Sequence, residues 1–114
     1  MRRAGHLVAE VLAGLRERIK PGVTTAALDH WAEQYIRRQG GEPSFKGYRG
    51  YPASVCISID QEIVHGIPGR RRLREGQVVS LDVGVICEGY QGDAAITAGV
   101  GQISPEAEAL LRVT

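Results

Sequence analysis

At 114 residues, 43% hydrophobic and 24% charged, the chain has the composition of one globular domain, 1–114, with a real core and no room for a second. A formal net charge of +1 gives no global attraction for nucleic acid or an anionic membrane, and no apolar run approaches the ~18 residues of a membrane span. Cys56 and Cys87 both lie in apolar, strand-like sequence, and Leu7 to Leu15 is interrupted by Glu10, unlike a signal peptide, so a reduced cytoplasmic setting without a disulfide is the natural one.

The first predicted element is a helix, with the one-sided stripe Leu7, Val8, Val11, Leu12, Leu15 and Ile19 ended by Lys20-Pro21-Gly22. Thr24 or Thr25 caps a second, whose apolar face is Leu28, Trp31, Ala32, Tyr35 and Ile36 and which stops at Gly40-Gly41. Trp31 reads as a core anchor in preference to a ligand platform. His6 and His30 fall on exposed helix positions.

From Glu42 the period changes. Val55, Ile57 and Ile59 alternate as a strand, and Asp60-Gln61 is a hairpin turn into Glu62 to His65. Arg70-Arg71-Arg72, with Arg74, is a basic cluster between Gly69 and Gly76, either a solvated turn or a contact with an acidic surface. Val78 to Ile86 is a strand with Tyr90 to Val100 as its partner, and Ser104-Pro105-Glu106 starts a last helix with the stripe Ala107, Leu110 and Leu111. The pattern is α+β, an antiparallel sheet covered by two helices. The abrupt start and unfinished last helix point to a segment of something longer.

Asp82 and Asp93 stand out, because they lie in the otherwise apolar run "LDVGVICEGYQGDAA" and a carboxylate is rarely buried without a partner. Two registers compete. With Cys87-Glu88 as a two-residue loop the aspartates face each other at ~4.5–5.5 Å between Cβ atoms, a spacing that grips a divalent cation. With a three-residue loop using Gly89, Asp93 moves to the other face unless a bulge at Gly92 restores it. The alternative to a metal is a turn-forming Asp93 and an Asp82 that accepts backbone hydrogen bonds. Carboxylates alone favour Mg²⁺ or Mn²⁺, and an added imidazole extends the choice to Fe²⁺, Co²⁺ or Zn²⁺. His65, before Gly66-Ile67-Pro68, is the imidazole candidate or merely shapes its turn.

The stretches "GYRGYPASVCISIDQEIVHGIP" and "VVSLDVGVICEGYQGDAAIT" resemble the type I methionine aminopeptidases of metallopeptidase family M24, over the N-terminal half of such an enzyme. The resemblance implies half of a pita-bread fold and a site with two divalent metals (Co, Mn, Fe or Zn). It implies removal of the initiator methionine from nascent chains. Asp82 would be a bidentate ligand to one metal and Asp93 would bridge both. His65 would contact substrate near the scissile bond and steady the transition state, while Phe45, Tyr48, Tyr51 and Cys56 would line the methionine pocket. Gln91 stands where the family commonly has histidine.

The family's remaining ligands, one histidine and two glutamates, belong to the half this chain does not match. A second half in trans or a second copy as a homodimer would have to close the site. The reading from another class is a non-catalytic pita-bread module that binds peptide or protein.

Overall fold

The computed structural model describes residues 2–46, 53–59 and 68–113. Helix α1, Arg2–Arg18, buries Ala4, Leu7, Val8, Val11, Leu12 and Leu15 along one side, the stripe that a 3.6-residue period requires. Helix α2, Thr25–Arg38, is capped by Thr24, whose Oγ1 accepts the Ala27 N–H at 3.1 Å. Thr25 is not the cap: it is buried and its hydroxyl both accepts from the Gly69 N–H, at 2.8 Å, and donates to the Gly69 carbonyl. At the other end Gly40 N–H bonds Arg37 O and Gly41 N–H bonds Ile36 O, at 3.1 and 2.9 Å, the paired bonds of a Schellman stop.

Trp31 is the anchor between the helices. Its ring lies against Gly14 of α1, stacks on Tyr35 at 5.2 Å between centroids and carries the Arg18 guanidinium 4.1 Å above it. The Tyr35 hydroxyl then donates to Glu10 at 2.8 Å.

The sheet is built on one long strand. Strands β1 (Glu42–Pro43), β2 (Val55–Ile59), β3 (Val78–Cys87) and β4 (Tyr90–Gly99) are joined by antiparallel pairing to β3. Since β4 runs along the whole of β3, β1 and β2 share its other edge, β1 at Val85–Ile86 and β2 at Val79–Val83. The two-residue β1 was not legible in the sequence, and its Pro43 is tolerated because only the edge of a sheet spares an N–H.

Alternation along β3 divides the two faces. Val79, Leu81, Val83, Val85 and Cys87 are buried beneath the helices, whereas Asp82 and Ile86 on the other face are exposed. Helix α3, Pro105–Val113, starts at the predicted cap: the Ser104 hydroxyl accepts the Ala107 N–H at 3.1 Å. The predicted strand Glu62 to His65 lies outside the described residues.

The β3–β4 turn differs from both expected registers. Cys87 pairs with Tyr90, so the loop is Glu88-Gly89, with φ of 54° and 81°, the positive values that a two-residue type I′ turn demands. Gly92 forms no bulge: it pairs with Val85 in an unbroken ladder. Its lack of a side chain serves packing instead, because a Cβ there would stand 3.1–3.2 Å from the backbone of Ala4 in α1.

Candidate active site

The observed ladder places Asp82 opposite Ala95 and Asp93 opposite Gly84. Residues directly opposite share a face, so Asp82 and Asp93 emerge from the same side of neighbouring strands as diagonal neighbours, with backbones about 7–8 Å apart. Directly facing aspartates are therefore corrected to diagonal ones. The shift is two residues, and with a side-chain period of two it keeps the common face. This is the face away from the helices, and both aspartates are exposed on it. The puzzle of buried carboxylates in apolar sequence resolves through alternation: the valines point to the core and the aspartates point out.

Two further candidates join them. Cys56 of β2 is directly opposite Asp82 and half-buried, so Cys56, Asp82 and Ala95 form one row across the sheet. Phe45 leans over Gly84, where a Cβ would come within 2.9 Å of its ring. It thus covers the position paired with Asp93. The Ser44 N–H donates to Gly84 O at 3.0 Å, while the buried Ser44 hydroxyl has no partner among the described residues. Only glycine at position 84 permits this approach. Cys87 is buried on the core face and forms no disulfide with Cys56. Gln91 is exposed on the aspartate face, two residues before Asp93. Tyr48, Tyr51 and His65 lie outside the described residues.

The chemistry of the pair suits a divalent cation. Like charges at diagonal separation repel, and an ion between them removes the repulsion while taking oxygen ligands that hard metals prefer. Among the described residues the ion pairs are Arg3–Glu88, Arg37–Glu33 and Lys46–Glu33, and none neutralises Asp82 or Asp93. Also among the described residues, no group of three or more His, Cys, Asp or Glu side chains is placed to hold a metal ion. The residues fit one side of a metal centre.

Sequence reasoning passed over the device that positions this face. Asp29 of α2 accepts the N–H groups of Ser54 and Val55 at 2.7 and 2.8 Å, immediately before Cys56. Burial pushes its carboxyl pKa up, against the pull of those two hydrogen bonds. One turn on, Glu33 bonds Lys46 at 2.7 Å, Arg37 at 3.0 Å and the Ser54 hydroxyl at 3.3 Å. The Lys46 ammonium holds its carboxyl below the usual range. The two acids therefore tether Lys46, next to Phe45, and Ser54, near Cys56, to one helix. The available signal was two acids at i, i+4 directly beside the apolar positions Leu28, Ala32 and Ile36.

Comparison with known proteins agrees with the geometry. The model of the family described as "Metallopeptidase family M24" matches residues 1–114. The chain is 54% identical over 115 residues to a methionine aminopeptidase of Clostridium acetobutylicum and 50% identical over 114 residues to one of Clostridium perfringens, covering 100% of this chain and 46% of each relative. A crystal structure of methionine aminopeptidase from Thermotoga maritima superposes with a TM-score of 0.96 at 38% identity, over 100% of this chain and 46% of that one. The α+β layout foreseen as half of a pita-bread fold is thus the observed one. The chain spans about half the length of the curated relatives it matches.

Proposed function

The chain belongs to metallopeptidase family M24, a family that uses divalent metal, and from that premise we propose that it supplies one wall of a metalloaminopeptidase site that releases methionine from peptide N-termini. The observation that carries the reading is the diagonal Asp82–Asp93 pair on the open sheet face, flanked by Cys56 and Phe45.

Asp82 and Asp93 would hold the divalent metal, drawn from Co, Mn, Fe or Zn. When bound, the metal supplies Lewis acidity toward the scissile carbonyl and lowers the pKa of water. Phe45 and Cys56 give the methionine side chain an aromatic edge and a soft thiol, both suited to a thioether. Tyr48 and Tyr51 would add to that pocket, and His65 would steady the reacting carbonyl as negative charge grows on its oxygen. Asp29 and Glu33 keep the pocket residues at a set distance from the aspartates. The opposite wall, with one histidine and two glutamates, belongs to the length of the relatives that this chain does not span. It is supplied by a matching half or by a second copy.

The test is complementation. Mixed with a folded polypeptide comprising the unmatched half of the Clostridium acetobutylicum relative and with Mn²⁺ or Co²⁺, the chain is expected to release methionine from a Met-Ala-Ser peptide. Asp82→Asn or Asp93→Asn should lower the rate by about a hundredfold or more, as for loss of a group on which the metal depends. No release from two demonstrably folded and associated halves sinks the proposal.

A further inference from the structure

The geometry points to a second binding site, separate from the aspartate face: we propose that the arginine loop between β2 and β3 holds a cluster of phosphate groups. Arg70, Arg71, Arg72 and Arg74, with Gln77, line a recess of about 490 Å³, within the range of small-ligand sites. Among the described residues, no carboxylate contributes to that lining.

A solvated turn would carry its arginines on loose backbone. This one is stitched down. The Gly69 carbonyl accepts from Ala26 N–H at 2.9 Å, the Arg71 carbonyl accepts from Thr25 N–H at 3.0 Å, and Leu73 exchanges two 2.8 Å bonds with Gly22 and Val23. Leu73 itself is 1% exposed, a plug that holds the loop against the core. Arg74 N–H donates to the Gln77 side chain at 2.7 Å, so Gln77 braces the loop from β3's side. The Arg72 guanidinium is itself oriented by a 2.8 Å bond to Gly22 O.

Fixing Arg70, Arg72 and Arg74 side by side is unfavourable unless an anion relieves their repulsion, the same physics that marks the aspartate pair. The segment's own acid does not do so: Glu75 packs beside Gly101, outside the recess lining. Among the described residues, the ion pairs present involve none of Arg70, Arg72 and Arg74. Guanidinium forks match phosphate oxygens two at a time. Among the described residues, no aromatic side chain lines the recess, so they offer no platform on which a base would stack, and their contacts would go to phosphate alone.

Calorimetry on the purified chain with inorganic tripolyphosphate, and fluorescence anisotropy with a labelled single-stranded oligouridylate between 50 and 200 mM salt, test this. Arg70 and Arg74 are exposed, so Arg70→Ala/Arg74→Ala should fold, which circular dichroism verifies, and Arg70→Lys/Arg74→Lys keeps the charge without the forks. The expected result is saturable binding to at least one probe, weakened about tenfold or more in the alanine pair and partly restored in the lysine pair. Tighter binding of the oligonucleotide, with a salt slope of about −0.7 per phosphate contact, assigns the phosphates to a nucleic-acid backbone. Tighter binding of tripolyphosphate assigns them to a free polyphosphate. Absence of saturable binding to either probe, or affinity unchanged in the alanine pair, overturns the proposal.

Discussion

The Asp29 carboxylate accepts two backbone N–H groups at the start of β2. Asp29→Ala removes both hydrogen bonds and is expected to lower stability by about 2–4 kcal/mol in urea denaturation. Asp29→Asn retains an acceptor oxygen and should recover most of it. Asp82 and Asp93 call for a different measurement, because they are exposed and their loss leaves the core intact. Each asparagine variant should bind Mn²⁺ about tenfold or more weakly by calorimetry, with an unchanged thermal midpoint. Retention of wild-type affinity in both would remove the aspartates from the metal site.

At the scale of elements, α2 is tied to the sheet by groups whose pH dependences oppose each other. Glu33, faced by Lys46, Arg37, Ser54 and Asp29, has a lowered folded pKa. Its contribution is present above the ordinary glutamate range and lost as pH falls through that lowered value. Asp29 has a raised pKa, so its contribution is present at low pH and lost as pH rises through the raised value. Glu33→Gln should therefore flatten the acid limb of the stability profile below the ordinary glutamate range, and Asp29→Asn should steepen it. Denaturant midpoints measured from pH 3 to 7 decide the signs.

The β3–β4 turn offers a gain instead of a loss. Glu88 sits at φ 54°, where a branched-free but bulky side chain is strained and Asn is comfortable. Glu88→Asn makes the favoured Asn-Gly pair and should add about 0.5–1 kcal/mol, since the exposed Arg3–Glu88 bridge that it removes is worth little. Gly92→Val does the reverse: its Cβ pushes against Ala4 of α1 and should lower stability by about 1–3 kcal/mol.

For the molecule as a whole, the consequence of the layout, among the described residues, is a sheet with one face packed on α1 and α2 and the other carrying exposed side chains. The second face presents Cys56, Asp82, Asp93 and Phe45, the side a partner wall would close over. A second copy placed face to face would bring four aspartates together, which Mn²⁺ would stabilise and a chelator would reverse. Sedimentation at micromolar concentration with and without Mn²⁺ separates the two sources of that wall. A metal-dependent dimer favours the second copy, and a monomer under both conditions leaves the matching half as its source. Among the described residues, no helix is long and apolar enough to cross a membrane.

By itself the sequence determined what depends on neighbours along the chain. The stripe of α1, the Gly40-Gly41 stop and the Ser104 cap follow from local periodicity and backbone chemistry, and the long motifs around Cys56, Asp82 and Asp93 pointed to the family. The tertiary structure alone decided the rest. Which two residues turn the hairpin depends on strand pairing, since shifts of two residues leave the alternation of β3 and β4 unchanged. That Gly92 makes room for a helix, that Phe45 settles on Gly84, and that Asp29 and Glu33 hold the site's edges to α2 all join residues far apart in the chain, and no local pattern carries that distance.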